Sequence, residues 1–244
     1  DGYKVREAPG HETMCGRLRR HMYGTRGAAD GWQEEYSTML ISLGFQQGVS
    51  CPNVFHHVAR KIHTSVHGDD FTSTGGKMAL DWFETEVAKK YEITISPRLG
   101  PGPNDAKEGT FLNRIIRWCD GHIGYEADPR QAEKLRAECG LEGPEVKQVA
   151  TPGVKSSSHE LEGDKPLEDR LHVAFRGSAA RGNYLAADRL DAQFACKEVC
   201  RYMANPTEPA WQALKRICSF LTGVPRLVST YPQQTVSGVH VHAD

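Results

Sequence analysis

Two neighbouring carboxylates, Asp69 and Asp70, stand in the segment His63-Thr-Ser-Val-His-Gly-Asp-Asp-Phe-Thr-Ser-Thr74, between two short β-prone runs. In a regular strand, adjacent side chains point to opposite faces and cannot share a ligand. A tight turn relaxes that rule, and Gly68, directly before the pair, is a turn residue. Hard oxygen ligands grouped this way suit Mg²⁺, which keeps several waters and binds substrate phosphates as well. Two such ions about 3.5–4 Å apart stabilise the attacking and leaving oxygens of an in-line phosphoryl transfer. The same tripeptide also reads as an acidic surface turn, because Gly and Asp populate turns for conformational reasons alone.

Other reactive residue types give weaker patterns. Of 11 histidines, His63 and His67 lie four apart and His240 and His242 two apart. The first pair falls in a β-prone run rather than on a zinc-binding helix, and the second has no further ligand nearby, so no zinc site is expected. Cys196 and Cys200 lie four apart on an expected helix and read as buried structural thiols. Neither a Gly-x-Ser-x-Gly elbow nor a phosphate-cradling Gly-x-x-x-x-Gly-Lys-Ser/Thr loop occurs, so hydrolase and P-loop chemistry lack support. Arg17, Arg19, Arg20 and Arg26 form the densest basic run, which could hold a nucleic-acid backbone or simply face solvent.

The chain that must position these groups has 39% hydrophobic and 25% charged residues, a globular composition, and a net charge of −1. Any nucleic-acid site must therefore be a local patch. No apolar run approaches the roughly 18 residues that a membrane span needs. Seven irregularly spaced cysteines argue for reduced intracellular thiols. The opening residues resemble neither a signal peptide nor an initiator start, and the last six resemble a strand cut in mid-course, which suggests a segment of something longer.

Apolar residues Trp32, Tyr36, Met39, Leu40 and Leu43 predict a helix over 28–43, stopped by Gly44. Short strands are expected at 53–57, 61–66 and 71–74, then a helix over 76–91 with Leu80, Phe83, Val87 and Tyr91 on one side. The proline-rich stretch 97–103 is a loop. Residues 110–118 and 122–125 predict a hairpin across Asp120-Gly121. Asp128-Pro129 opens a short helix ending at Gly140. Beyond a linker at 151–170, helices are expected over 188–204 and over 208–221, the latter opened by Thr207 and closed by Gly223. Hairpins and helices in separate runs make the fold class α+β.

Several blocks, in order, resemble the reverse transcriptases of copia-type LTR retrotransposons. Leu18-Arg-Arg-His-Met-Tyr-Gly-Thr-Arg-Gly-Ala-Ala-Asp-Gly-Trp32 resembles a helix-leading block of that family, and Leu40 to Phe45 with Cys51-Pro52 fit its continuation. His67-Gly68-Asp69-Asp70 falls where the family carries its Tyr-Val-Asp-Asp box. Phe83 to Ile93, Phe111 to Arg117 and Val149 to Pro152 resemble later segments, and Met203 to Ile217 is similar to one of the most recognisable. Gly238 to Asp244 looks like the opening strand of a ribonuclease H (RNase H) domain. The resemblance spans residues 15 to 244.

It implies an incomplete polymerase palm with a β-hairpin active-site tip, a helical thumb and connection region, and the first strand of an RNase H domain. The implied division is partial fingers and palm over 1–125, a thumb-like helix over 126–150, the linker over 151–170, a connection region over 171–237 and a truncated RNase H start at 238–244. By resemblance, Asp69 and Asp70 are the paired catalytic metal-binding carboxylates, with Asp69 the more critical. Tyr23, Gly24 and Arg26 match the block lining nucleotide and template, and a guanidinium such as that of Arg26 can pair with phosphate bidentately. Tyr23 and Trp32 also read as core packing, and for Trp32 that reading is favoured because it lies on the helix's apolar stripe. Asp244 corresponds to the first RNase H carboxylate.

The family's third palm carboxylate belongs to an upstream block with no counterpart before Leu18, so the segment alone is not expected to polymerise. Gly27, Ala29, Thr25, His67 and Gly68 depart from the family pattern, and Gln-to-Gly at position 27 removes a side chain expected near the nucleotide. The implied parent is an RNA-directed DNA polymerase with two Mg²⁺ ions, acting on an RNA or DNA template-primer and dNTPs. It would be joined to integrase and RNase H domains, without a membrane, inside the cell in a cytoplasmic virus-like particle or the nucleus. The alternative is a non-catalytic or decayed nucleic-acid-binding remnant of such an element.

Overall fold

A computed structural model describes residues 21–143, 145–154 and 165–234. Contacts divide the chain into two compact units, Asp1–Ile95 and Ser96–Asp244.

In the first unit, helix α1 (Arg26–Ser42) precedes strands β1 (Gln46–Gln47), β2 (Val54–His57), β3 (Ile62–His67) and β4 (Asp70–Thr74), and helix α2 (Lys77–Ala88) closes it. The strands form an antiparallel sheet in sequence order, β1-β2-β3-β4. α1 ends as its composition requires. Gly44 takes φ +93°, the Gly44 amide donates to the Ile41 carbonyl and the Phe45 amide to the Leu40 carbonyl, which is a Schellman stop. Phe45 is thereby turned into the core.

That core joins Tyr36, Met39 and Leu40 of α1 to Phe55, Ile62 and Val66 of the sheet and Phe83 and Val87 of α2. The two helices therefore cover one sheet face. Along β3 the buried Ile62, Thr64 and Val66 alternate with His63, Ser65 and His67, the period-two pattern of a sheet packed on one side.

The second unit holds a separate antiparallel sheet, β5 (Glu108–Phe111), β6 (Arg114–Cys119), β7 (His122–Glu126) and β8 (Val228–Pro232), in the order β5-β6-β7-β8. Its helices are α3 (Pro129–Glu138), α4 (Asp169–Ala186), α5 (Leu190–Cys200) and α6 (Glu208–Gly223). Leu135, Phe175, Leu185, Cys196, Leu214, Ile217 and Leu221 fill the core between them. Asp128 caps α3 by accepting from the Arg130 amide, and Thr207 caps α6 by accepting from the Ala210 amide, as the sequence predicts. Cys196 is buried and Cys200 partly so, and burial pushes the Cys196 thiol up to about 12.

The α+β class holds, with two four-stranded sheets and six helices among the described residues. Three expectations need correction. Residues 110–118 are not one strand: Leu112 and Asn113 take φ +47° and +66° and turn the chain between β5 and β6. Positive φ at both central positions is the hairpin-turn pattern, built here without glycine. Residues 165–170, expected within the linker, include the buried Leu167 and the start of α4. The helix expected over 188–204 is shortened to Leu190–Cys200: Arg189 caps its start with non-helical ψ, and past Cys200 the amides of Arg201, Tyr202 and Met203 bond three residues back. β5 to β7 group with the helices that follow them, in the second unit.

Candidate metal-binding hairpin

Register places the acidic pair. His67 pairs with Asp70, leaving Gly68 and Asp69 as a two-residue turn between β3 and β4. Gly68 takes φ +62° and Asp69 does not take a positive value, the pattern of a type II′ turn with glycine at its first central position. Asp70, as the partner of His67, lies on the sheet face opposite the helices, with Ser65, Thr72, His63 and Thr74. His56 joins them through its pairing with His63, the two rings stacking at 4.1 Å. Both aspartates are exposed, and neither has a hydrogen-bond or ion-pair partner among the described residues.

The turn is tied down from below. The indole Nε1–H of Trp32 donates to the Gly68 carbonyl at 2.6 Å. The Trp32 ring meets Tyr36, Tyr91 and Phe71 edge-on, at centroid distances of 5.6, 5.3 and 6.5 Å. Helical spacing puts Trp32 on the apolar stripe of α1, and nothing in that spacing specifies a bond to Gly68. The available signal was general: a half-buried indole N–H needs an acceptor.

The remaining predicted residues fare unevenly. Tyr23 is fully exposed, Gly24 takes φ +85°, and Arg26 is the first residue of α1. α1 reaches the hairpin through Trp32, two turns further on. Gly27 and Gly31 leave a bare helix face under the His21 ring, where a Cβ at Gly31 would come within 2.6 Å of Nε2. Arg17, Arg19, Arg20, His240, His242 and Asp244 lie outside the described residues. Among the described residues, no three His, Cys, Asp or Glu side chains converge as a metal cluster, and no helix is long and apolar enough to cross a membrane.

A second set of charges, absent from the sequence reading, sits in the other unit. The Glu126 carboxylate, 3% exposed, takes Arg117 Nη1 at 2.6 Å and Arg226 Nη2 at 2.7 Å. These guanidinium contacts hold it well below the usual carboxylate range, at about 2. Asp188 accepts from Arg114 Nε and from the Tyr125 hydroxyl, at 2.9 and 2.6 Å, and burial pushes that hydroxyl up to about 12. These carboxylates have their oxygens committed to arginine or tyrosine.

Over its full length the chain is similar to two curated proteins of Arabidopsis thaliana. They are the retrovirus-related Pol polyproteins from transposons RE2 and RE1, each 26% identical over 250 residues. The chain spans about 16% of the length of each. No protein-family model matches it, and no solved structure does. The resemblance read from the motifs is borne out at this level: the chain is similar over its whole length to retrovirus-related Pol polyproteins of transposons.

Proposed function

We propose that this chain is part of an RNA-directed DNA polymerase of a copia-type retrotransposon, with Asp69 and Asp70 as its paired metal-binding carboxylates. The observation that carries the reading is the hairpin itself. Asp69 stands in a two-residue turn and Asp70 beside it on the sheet face opposite the helices, in a chain similar throughout to Pol polyproteins.

The donor chemistry fits Mg²⁺. Two hard carboxylates follow one another in sequence at the turn, and no protein cation among the described residues takes up their oxygens. Once bound there, the ions would stabilise the attacking and leaving oxygens of nucleotidyl transfer. Asp69 and Asp70 give two ligands, so the full two-ion site requires a further carboxylate from elsewhere. Arg26, at the head of α1, would meet phosphate, and Tyr23 and Gly24 the nucleotide or template. On this reading 1–125 serves as partial fingers and palm, 126–150 as thumb, 171–237 as connection and 238–244 as the RNase H start. Template-primer and dNTPs would be the partners, alongside integrase and RNase H in the same polyprotein.

A longer polypeptide supplying the third carboxylate is expected to extend a DNA primer on an RNA template with Mg²⁺, and Asp69→Asn to abolish extension. Unchanged extension by that variant would remove the pair as the metal site. The second reading, a non-catalytic nucleic-acid-binding remnant, draws on the lack of a third carboxylate beside the pair among the described residues. It predicts template binding that survives Asp69→Asn and is indifferent to EDTA in a gel shift.

A further inference from the structure

One side chain grips both flanks of the acidic pair. Trp32 donates to the carbonyl of Gly68, the residue before Asp69, and packs edge-on against Phe71, the residue after Asp70. The Gly68 carbonyl sits in the turn, beyond the last ladder pair His67–Asp70, so the sheet offers it no donor. Gly68 is exposed, so without the indole its carbonyl is free to bond water in more than one orientation. Rotation of that peptide would change where the Asp69 carboxylate points relative to Asp70, which the first ladder pair of β4 fixes.

From this geometry we infer that Trp32 is a positioning residue. Its indole N–H holds the Gly68–Asp69 turn in the one orientation that presents both carboxylates to a shared divalent cation. The inference rests on the metal-binding reading of Asp69 and Asp70. Trp32 itself touches no ligand. Its ring is in turn held by Tyr36 and Tyr91, so the orientation of the turn is referred to the core of the unit and not to the exposed tip. Preorganisation of this kind favours binding by lowering the ordering cost at the moment the ion arrives.

The test uses the full chain, with Mn²⁺ as the probe. Trp32→Phe keeps a ring able to edge against Tyr36, Phe71 and Tyr91 and removes the donor. It is expected to weaken Mn²⁺ binding, read from water-proton relaxation, by about three- to tenfold, the worth of one ordinary hydrogen bond. In ¹⁵N spectra the Gly68 and Asp69 amides should gain fast motion while the Ile62 and Thr64 amides keep theirs. Val87→Ala loosens the same core without touching Gly68, and should leave Mn²⁺ affinity as it was. In the unaltered chain the Trp32 indole proton should exchange slowly with solvent.

Failure of the inference and failure of the metal reading look different. If Asp69→Asn abolishes Mn²⁺ binding while Trp32→Phe changes neither affinity nor the Gly68–Asp69 amides, Trp32 does not position the pair and the metal reading stands. If Asp69→Asn leaves Mn²⁺ binding intact, the metal reading falls. Fast indole exchange in the unaltered chain overturns the inference without recourse to any variant.

Discussion

The two units treat acidic side chains in opposite ways. In the first, Asp69 and Asp70 stand exposed at a hairpin tip, with no cation among the described residues to neutralise them. In the second, Glu126 and Asp188 are nearly enclosed, and arginine or tyrosine donors occupy their oxygens. A carboxylate with satisfied oxygens has nothing left to offer a metal: Glu126 holds β7 to the segment that leads into β8, and Asp188 holds β6 and β7 to the end of α4. A carboxylate with free oxygens contributes little to folding and keeps its full capacity for a cation. On the proposed reading, chemistry belongs to the tip and architecture to the buried acids.

The largest effect expected is at Glu126. Glu126→Gln removes the charge between Arg117 and the largely exposed Arg226 and should cost about 2 kcal/mol, the worth of hydrogen bonds to a charged group. Urea unfolding followed by Trp fluorescence measures it. A change no larger than that of a surface substitution would erase the contrast between the two sites.

Acid should act through the same group. The Glu126 carboxyl is lowered from 4.5 to about 2, so its contribution is fully present above the unfolded value near 4.5. It is lost as pH falls from there through about 2, by on the order of 3 kcal/mol in all. Urea midpoints at pH 5 and pH 3 should therefore separate in the parent chain and draw together in Glu126→Gln.

Smaller effects belong to the tip. Gly68 sits at φ +62°, so Gly68→Ala should cost about 1 kcal/mol, seen as a lowered unfolding midpoint of the first unit. Asp70→Asn should leave stability within about 0.5 kcal/mol, as exposed substitutions do, yet abolish Mn²⁺ binding. Loss of stability at Asp70 comparable to that at Glu126 would make the tip a structural site after all.

Much of the first unit was legible. Its helices carry large apolar residues at helical spacing, Tyr36, Met39 and Leu40 on α1 and Phe83 and Val87 on α2, and its central strand β3 alternates cleanly. The second unit was legible only in part, because α4 builds its buried stripe from Ser178, Ala179 and Gly182 as well as Phe175 and Leu185. Small residues on a close-packed helix face leave no hydrophobic periodicity to count, and Gly177 and Gly182 read as breakers. β8 was hidden for another reason. It is a mostly exposed edge strand whose partner, β7, lies some hundred residues earlier, and no local pattern announces such a pairing.

By itself the sequence determined the local grammar: caps at Asp128 and Thr207, the stop at Gly44, the turn at Gly68-Asp69, and the kinship with retrotransposon Pol proteins. Those features depend on a few neighbouring residues or on the order of motifs. Tertiary structure alone decided which backbone atom the Trp32 indole would reach, and that Arg226 would close on Glu126 from a hundred residues away. Such contacts join segments distant in sequence, and whether a donor meets an acceptor is settled only when packing brings them within 3 Å or so.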